Sequence, residues 1–243
     1  MKTFFLFTLG LFIGSFLNVC IHRLPTDSFF SPIHSRCPKC KHRLFLLDLI
    51  PVFSFIFLRG KCRYCQKGIS YYYPLVEIST AIAYSFIGIF CSNFYNCTSY
   101  IVFISTLIII FFTDLKSYII PDCLTIPCFF IWTALAAVQG SLIPSILGSA
   151  IGLIIFSTIS IIGKIIYKKP VIGSGDIKLI IMIGAFLGSY RLLLMIYFSF
   201  MFAGITSIII IIFKLKDRKD YIPLGPFLVI GSICSLLLTA NRN

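Results

Sequence analysis

The stretch that decides the fold is Ser99-Tyr-Ile-Val-Phe-Ile-Ser-Thr-Leu-Ile-Ile-Ile-Phe-Phe-Thr-Asp114, an apolar run that ends on a carboxylate. A run of this length is close to what a helix needs to cross about 30 Å of hydrocarbon. A second aspartate, Asp176, stands directly before another apolar run, in a chain with only 8 acidic residues. A charged side chain at such depth is costly, so an aspartate there indicates a functional site.

The composition extends this membrane pattern over the whole chain. Of its 243 residues, 58% are hydrophobic and 12% are charged, whereas a soluble domain has about a quarter charged residues. We predict an all-α polytopic membrane protein, because lipid admits only helices or closed barrels and short alternating strands are not the pattern here. The predicted spans are 3–22, 74–91, 99–115, 121–138, 144–166, 176–189, 191–213 and 225–240.

One sizeable polar insertion interrupts these spans. It divides the chain into a first membrane helix at 1–22, a small cytoplasmic insertion at 23–73 and a membrane helical bundle at 74–243. The first helix is expected to be retained, because no small-residue cleavage site follows it. The insertion is too short to hold much of an apolar core.

The net charge of +13 is explained by membrane topology. Lys and Arg cluster at 23–73, 164–178 and 214–219, and such clusters mark the cytoplasmic side of short loops. The bias predicts that both termini lie outside and that Asp114 and Asp176 share the cytoplasmic face. It makes nucleic-acid binding unnecessary as an explanation of the charge.

Two aspartates at one membrane face suggest paired-carboxylate acid/base chemistry. Asp176 opens the sixth span, where the cap of a helix N-terminus would also explain it. Asp114 closes the third span, where the helix dipole disfavours an anion, so capping does not explain it. Asp122 follows Pro121 and is either the cap of the fourth span or a further acidic group of the site.

Four cysteines in the insertion have the spacing of a structural zinc site. Cys37-Pro-Lys-Cys40 and Cys62-Arg-Tyr-Cys65 are Cys-x-x-Cys knuckles with 21 residues between them. Four thiolates leave no open coordination position, so the predicted zinc is structural. The alternatives are free thiols or two disulfides, and a reducing cytosol disfavours disulfides. In the outer loop, Cys91 and Cys97 either pair or stay free.

Small residues mark two expected helix contacts. Gly10 and Gly14 in the first span, and Gly148 and Gly152 in the fifth, are each four residues apart. This spacing is typical of helices whose backbones approach closely in a membrane.

Several motifs occur in an order that covers nearly the whole chain. They are Gly14-Ser-Phe-Leu-Asn18, the four-cysteine insertion, Tyr73-Pro-Leu-Val-Glu77, Asp114 with Ile120-Pro-Asp122, Gly173-Ser-Gly-Asp-Ile-Lys178 and Ile222-Pro-Leu-Gly-Pro226. This combination resembles the type IV prepilin peptidases, which are Gly-x-Gly-Asp intramembrane aspartyl proteases of the bacterial inner membrane. The resemblance implies that Asp114 and Asp176 are catalytic. It implies supporting roles for Gly173, Gly175, Lys178, Pro121 and Asp122.

The resemblance also implies a substrate and a second activity. Family members are endopeptidases that cut the short basic leader of prepilins and pseudopilins, including secretion and competence proteins, after a glycine. Many then N-methylate the new N-terminus with S-adenosylmethionine, and Gly60 and Lys61 match the region linked to that activity. A protease without methyltransferase activity is the alternative, because the chain has no Gly-rich cofactor loop.

The implied partners are prepilin and pseudopilin substrates and membrane lipid, with no nucleic acid; the oligomeric state stays open. A proton-coupled transporter is a rival interpretation, because carboxylates within the membrane are equally natural there. It would need inverted repeats, and none is evident. A non-enzymatic zinc-linked assembly scaffold is a second rival, and it leaves the aspartates unexplained.

Overall fold

A computed structural model gives the fold and describes residues 1–26, 35–91, 93–168, 171–213 and 222–240. The helices are α1 (Lys2–Arg23), α2 (Phe53–Phe57), α3 (Tyr72–Phe90), α4 (Phe94–Ser117), α5 (Asp122–Val138), α6 (Leu142–Tyr167), α7 (Ser174–Ile212) and α8 (Gly225–Ala240). Two short 3-10 turns, Leu24–Thr26 and Leu46–Leu49, lie in the insertion. The basic cluster predicted at 214–219 lies outside the described residues.

The all-α membrane fold predicted from the sequence is confirmed. Five of the described helices, α1, α3, α4, α6 and α7, are long and apolar enough to cross a membrane, and α5 and α8 are shorter apolar helices. The predicted sixth and seventh spans are assigned as one helix, α7, which is interrupted at Gly188 (φ 73°, ψ 175°). That conformation is open essentially to glycine alone, so Gly188 separates two helical segments close to the predicted boundary.

The chain forms two compact units, Met1–Ile109 and Ile110–Asn243. In the first unit, α1 packs along α3 through the predicted glycines. A Cβ added at Gly10 would lie 2.6 Å from Ala81 Cα, and one at Gly14 would lie 2.7 Å from Glu77 Cα. Only glycine allows these two backbones to approach so closely, which confirms the expected contact of the first span.

The second unit is organised around α7, which contacts α5, α6 and α8. At the crossing of α6 and α7, a Cβ added at Gly184 would lie 2.7 Å from the backbone of Gly148. Ser145 and Ser149 of α6 donate hydrogen bonds to α7 carbonyls at 2.7 and 3.1 Å. Close packing and hydrogen bonds replace the hydrophobic force that is absent between helices in lipid. They hold α7, and with it Asp176, in a fixed position.

Candidate active site and metal centre

Asp114 is held at the end of α4 by contacts from far along the chain. The helix ends where Tyr118 adopts a left-handed backbone (φ 55°), and Tyr118 N–H donates to the Asp114 carbonyl at 3.0 Å. The Asp114 side chain is buried, and its Oδ2 accepts the backbone N–H of Gly225, the first residue of α8, at 3.0 Å. This carboxylate is therefore oriented by a backbone donor 111 residues away in sequence.

Gly225 is a site residue that sequence analysis missed. A Cβ added there would lie 2.6 Å from Asp114 Oδ2 and 3.1 Å from its Cγ. The absence of a side chain is what lets the Gly225 N–H reach the carboxylate. The only signal in the sequence was its place in Ile222-Pro-Leu-Gly-Pro226, which does not reveal a partner.

Asp176 lies in the first turn of α7, and the helix begins after Gly173. Its Oδ2 accepts the Gly173 N–H at 3.3 Å, so Asp176, the third residue of the helix, bonds back to the N-cap residue, Gly173, rather than being the N-cap itself as the sequence suggested. The positive end of the helix dipole faces this carboxylate. A Cβ added at Gly173 would lie 3.2 Å from the same oxygen, so the loop packs closely on the aspartate.

The structure brings the two predicted aspartates into one site. Asp114 and Asp176 lie close enough for their carboxyl groups to interact electrostatically. Both lie in the second unit, one at the end of α4 and the other at the start of α7. Capping accounts for Asp176, but it does not account for the approach of a second, buried carboxyl group.

Asp122 and Lys178, predicted separately as supporting residues, form an ion pair. Lys178 Nζ lies 2.6 Å from Asp122 Oδ2, and their side chains are 39% and 54% exposed. The pair joins the first turn of α5 to the first turns of α7. A Cβ added at Gly175 would lie 3.1 Å from Ile120 Cβ, so the loop before α5 and the start of α7 also pack directly.

Pro121 is the buried N-cap of α5 in an extended conformation (φ −69°, ψ 120°). Proline carries no N–H and pre-sets this φ, so it suits a position that precedes a helix. It sets the start of α5, and thereby the position of Asp122, the next residue. Its place next to the ion pair makes it a positioning residue rather than a chemical group of the site.

The two cysteine knuckles of the first unit have the same backbone. The Cys37 N–H bonds to the His42 carbonyl at 3.0 Å, and the Cys62 N–H bonds to the Lys67 carbonyl at 2.9 Å. The residue after the second cysteine of each knuckle, Lys41 or Gln66, is left-handed with φ near 60°. Each turn is closed by one isolated antiparallel β-bridge in the same register, Arg36–Arg43 in the first knuckle and Lys61–Gly68 in the second.

The knuckles bring Cys37, Cys40, Cys62 and Cys65 into one cluster whose sulfur atoms all lie within 4.8 Å of one another. Cys37 and Cys65 Sγ are 4.0 Å apart. A tetrahedral ion with metal–sulfur bonds of about 2.3 Å needs sulfur–sulfur distances of about 3.8 Å, so the four thiols fit such an ion. The same geometry argues against free thiols brought together by chance.

Burial, backbone N–H groups and neighbouring thiols act differently on two of the four cysteines. Burial raises the pKa of Cys37, but the backbone N–H groups of Cys40 and Lys39 outweigh burial and lower it to about 7. The backbone N–H of His42 lowers the pKa of Cys40, but burial and the neighbouring thiols raise it to about 11. The cluster can hold a metal ion.

Gly60 and Lys61, the residues matched to methyl transfer, have structural roles in the second knuckle. Gly60 is left-handed (φ 69°), and a Cβ there would lie 3.1 Å from the Phe55 ring. Lys61 is exposed, and its backbone forms the bridge to Gly68. These features do not form a cradle for an adenosyl group, so we derive no methyl-transfer step from them.

Polar side chains of α1 and α3 connect the insertion to the membrane helices of the first unit. Asn18 donates to the Tyr73 carbonyl at 3.0 Å, and the Tyr73 hydroxyl lies 2.8 Å from His22 Nε2. The buried Glu77 accepts the Val52 N–H at 2.7 Å. Sequence analysis assigned no role to these residues beyond their place in motifs. Cys91, directly after α3, and Cys97, near the start of α4, are free thiols.

Comparison with known proteins agrees with this arrangement. Two family models match the chain: the bacterial peptidase A24 N-terminal domain over residues 8–91 and the type IV leader peptidase family over residues 101–208. No solved structure matches the chain.

Several curated relatives are named prepilin leader peptidase/N-methyltransferase. The Bacillus subtilis (strain 168) protein is 32% identical, over 96% of this chain and 92% of its own length. The Aeromonas salmonicida (strain A449) protein is 31% identical, over 95% and 89%. The Myxococcus xanthus protein is 35% identical over 86% of this chain, and the match spans only 63% of that relative's length.

The helical fold and these matches define a membrane-embedded peptidase. The chain belongs to the type IV leader peptidase family.

Proposed function

We propose that the chain is an intramembrane aspartyl endopeptidase that removes the leader of type IV prepilins and pilin-like proteins. Asp114 and Asp176 are its catalytic pair. The observation that carries the proposal is that two carboxyl groups from different helices lie within range of an electrostatic interaction, and that each accepts a backbone N–H. The substrate class is that named for the relatives.

The chemistry of two neighbouring carboxyl groups is sufficient for peptide hydrolysis. Such a pair shares one proton, because two like charges at short range do not both persist. The ionised carboxylate takes a proton from water as the water attacks the scissile carbonyl, and the protonated carboxyl group gives its proton to the leaving amine. The pair returns to its starting state once a proton moves back between the two groups.

We propose different tasks for the two oxygens of each carboxyl group. Oδ2 of Asp114 and Oδ2 of Asp176 each accept a backbone N–H, which fixes the plane of the carboxylate. We assign the attacking water and the shared proton to the Oδ1 atoms. Gly225 and Gly173 then act through the aspartates as positioning residues.

The active site belongs at the cytoplasmic face of the bacterial inner membrane, with the N-terminus outside. Lys116 and Lys178 stand two residues after the two aspartates, and the polar insertion is rich in Lys and Arg. Such residues are retained on the cytoplasmic side. The basic leader of the substrate would reach the aspartates from the cytoplasm while its apolar helix stays in the bilayer.

Zinc is the metal that best suits the four thiolates, in a structural role. A four-cysteine tetrahedral site is typical of zinc and leaves no position for substrate. Bound zinc would link the two knuckles of an insertion that has little apolar core, so metal binding and folding are coupled there.

N-methylation of the new N-terminus is a second activity that the names of the relatives favour. S-adenosylmethionine would supply the methyl group. Mass spectrometry of the mature product, with and without S-adenosylmethionine, separates the two possibilities. One added methyl group supports the bifunctional enzyme, and an unmodified N-terminus leaves a protease alone.

Leader release by the purified protein tests the main proposal. The chain in detergent is given a prepilin, and the products are identified by mass. An endopeptidase yields a leader that ends in glycine. A transporter or an assembly scaffold yields none.

A further inference from the structure

The polar insertion carries an apolar surface that lies outside the membrane spans. On α2, the side chains of Phe53, Ile56 and Phe57 are all exposed, and Phe57 is 82% exposed. Their spacing of three and four residues places them on one face of the helix. Apolar patches of this kind on a surface in contact with water mark interaction sites.

The opposite face of α2 is fixed to the start of α3. The Phe55 ring makes an edge contact with the Tyr71 ring, with centroids 5.5 Å apart, directly before α3 begins at Tyr72. Tyr71 and Tyr72 are themselves exposed, and exposed tyrosines are enriched where a helix leaves the bilayer. The apolar face of α2 therefore points outward at the level of a membrane boundary.

The hydrogen bond to Glu77 sets the depth of α2 more closely. The 19 residues of α3 extend over about 28 Å, which is close to the hydrocarbon thickness of about 30 Å. A membrane-crossing α3 therefore has both of its ends near the membrane boundaries. Glu77 lies five residues into α3, or about 8 Å from its start. Its side chain leans toward the N-terminal end of the helix and meets Val52 N–H, immediately before α2. The start of α2 is thus at the membrane boundary rather than in bulk water.

The charge around α2 suits a lipid surface. Residues 35–71 of the insertion contain one acidic residue, Asp48. Its basic residues are Arg36, Lys39, Lys41, Arg43, Arg59, Lys61, Arg63 and Lys67. Arg59 and Lys61 follow α2 directly, where they can reach anionic headgroups while the phenyl rings reach the acyl chains.

We infer that α2 is an interfacial helix, which inserts Phe53, Ile56 and Phe57 into the headgroup–acyl boundary of the bilayer that α1 and α3 cross. Through it the insertion is held at the lipid surface with its cysteine knuckles. This inference rests on the contacts of the first unit and does not depend on the proposed peptidase activity.

A single-tryptophan reporter tests the inference, because Trp132 is the only tryptophan. Phe57→Trp is made in a Trp132→Phe background, and the full chain is reconstituted in phosphatidylcholine–phosphatidylglycerol vesicles. We expect blue-shifted emission, several-fold stronger quenching by lipids brominated near the headgroup than by aqueous iodide, and the same behaviour for Ile56→Trp. Tyr64→Trp, in the second knuckle, is the control and should respond mainly to iodide.

Two results would overturn the inference. In the first, the reporters at 56 and 57 respond to iodide as strongly as the reporter at 64. In the second, emission is blue-shifted but insensitive to brominated lipid, which means that protein rather than lipid covers this face. Hydroxyl-radical labelling of the unmodified chain in the same vesicles needs no substitution. Phe53 and Phe57 should be several-fold less oxidised than Tyr64, and equal oxidation would refute the inference.

Discussion

The closest contact in the candidate active site predicts a large effect from adding one methyl group. In Gly225→Ala, the new Cβ would lie 2.6 Å from Asp114 Oδ2, 3.1 Å from Cγ and 3.3 Å from Cβ. A Cβ atom does not approach a non-bonded oxygen to 2.6 Å, so either the carboxylate or the start of α8 must move. Either movement lengthens the 3.0 Å hydrogen bond from the Gly225 N–H.

The expected loss of activity is estimated from the hydrogen bond, the close contact and the displacement of the catalytic group. A hydrogen bond to a charged group contributes about 1.5–3 kcal/mol, and overpacking a close contact costs about 1–3 kcal/mol. Misplacing a catalytic group by about 1 Å lowers the rate by about 100-fold. We therefore expect Gly225→Ala to lower kcat for leader cleavage by about 100-fold, equivalent to about 2.7 kcal/mol of transition-state stabilisation.

The assay is cleavage of a prepilin by purified, reconstituted protein, followed over time by mass spectrometry. Gly204→Ala is the matched control, because Gly204 lies in α7 and an added Cβ there meets nothing within 4 Å. The control should cleave normally and be as stable as the parent or slightly more so. Equal kcat for the two variants, at equal expression and equal Tm, would show that Gly225 does not position Asp114.

Further predictions concern the metal centre, the ion pair and the break in α7. Purified protein should contain about one zinc per chain. The double substitution Cys62→Ser with Cys65→Ser should remove the zinc and increase hydrogen exchange across 35–71. An insertion that stays well ordered without metal would contradict the proposal that zinc links the two knuckles. Asp122→Ala and Lys178→Ala should show a coupling energy of at most about 1 kcal/mol in a double-mutant cycle on Tm, because both side chains are partly exposed. A coupling several times larger would mean that the pair is shielded from solvent. Gly188→Ala should lower the free energy of unfolding by about 1–3 kcal/mol, because φ is 73° at this residue. Gly140 also has a positive φ, and a Cβ added there meets nothing within 4 Å, so Gly140→Ala is the comparison for the effect of a positive φ without a neighbouring contact.

The membrane fold could be predicted because its signals are local. The apolar run at 99–113 and its counterparts give the spans to within a few residues, and the break at Gly188 lies one residue before the end of the predicted sixth span. The knuckles were predictable for a similar reason, since Cys-x-x-Cys spacing largely determines the turn. The structure adds the matching left-handed residues, Lys41 and Gln66, which no spacing rule contains.

The partners of the site residues could not be predicted, because they come from distant positions. Nothing near Asp114 in sequence points to Gly225, and nothing near Asp122 points to Lys178. Glu77 and Val52 meet only because the insertion folds back onto α3. Each of these contacts depends on how separate helices pack, and hydropathy and spacing carry no information on that. The roles of the aspartates, the three-part division of the chain at 22/23 and 73/74, and the membrane orientation remain predictions for experiment.

The decisive experiment on the paired aspartates is prepilin cleavage by Asp114→Asn and by Asp176→Asn. Asparagine keeps the size of each side chain and its hydrogen-bond acceptor but cannot share a proton, so each variant should insert normally and release no leader. Asp122→Asn, at the exposed ion pair, removes an acidic group with a supporting role and should lower the activity less than either catalytic substitution. Cleavage at the parental rate by either Asp114→Asn or Asp176→Asn, with matched amounts of folded protein, would contradict the paired-aspartate mechanism.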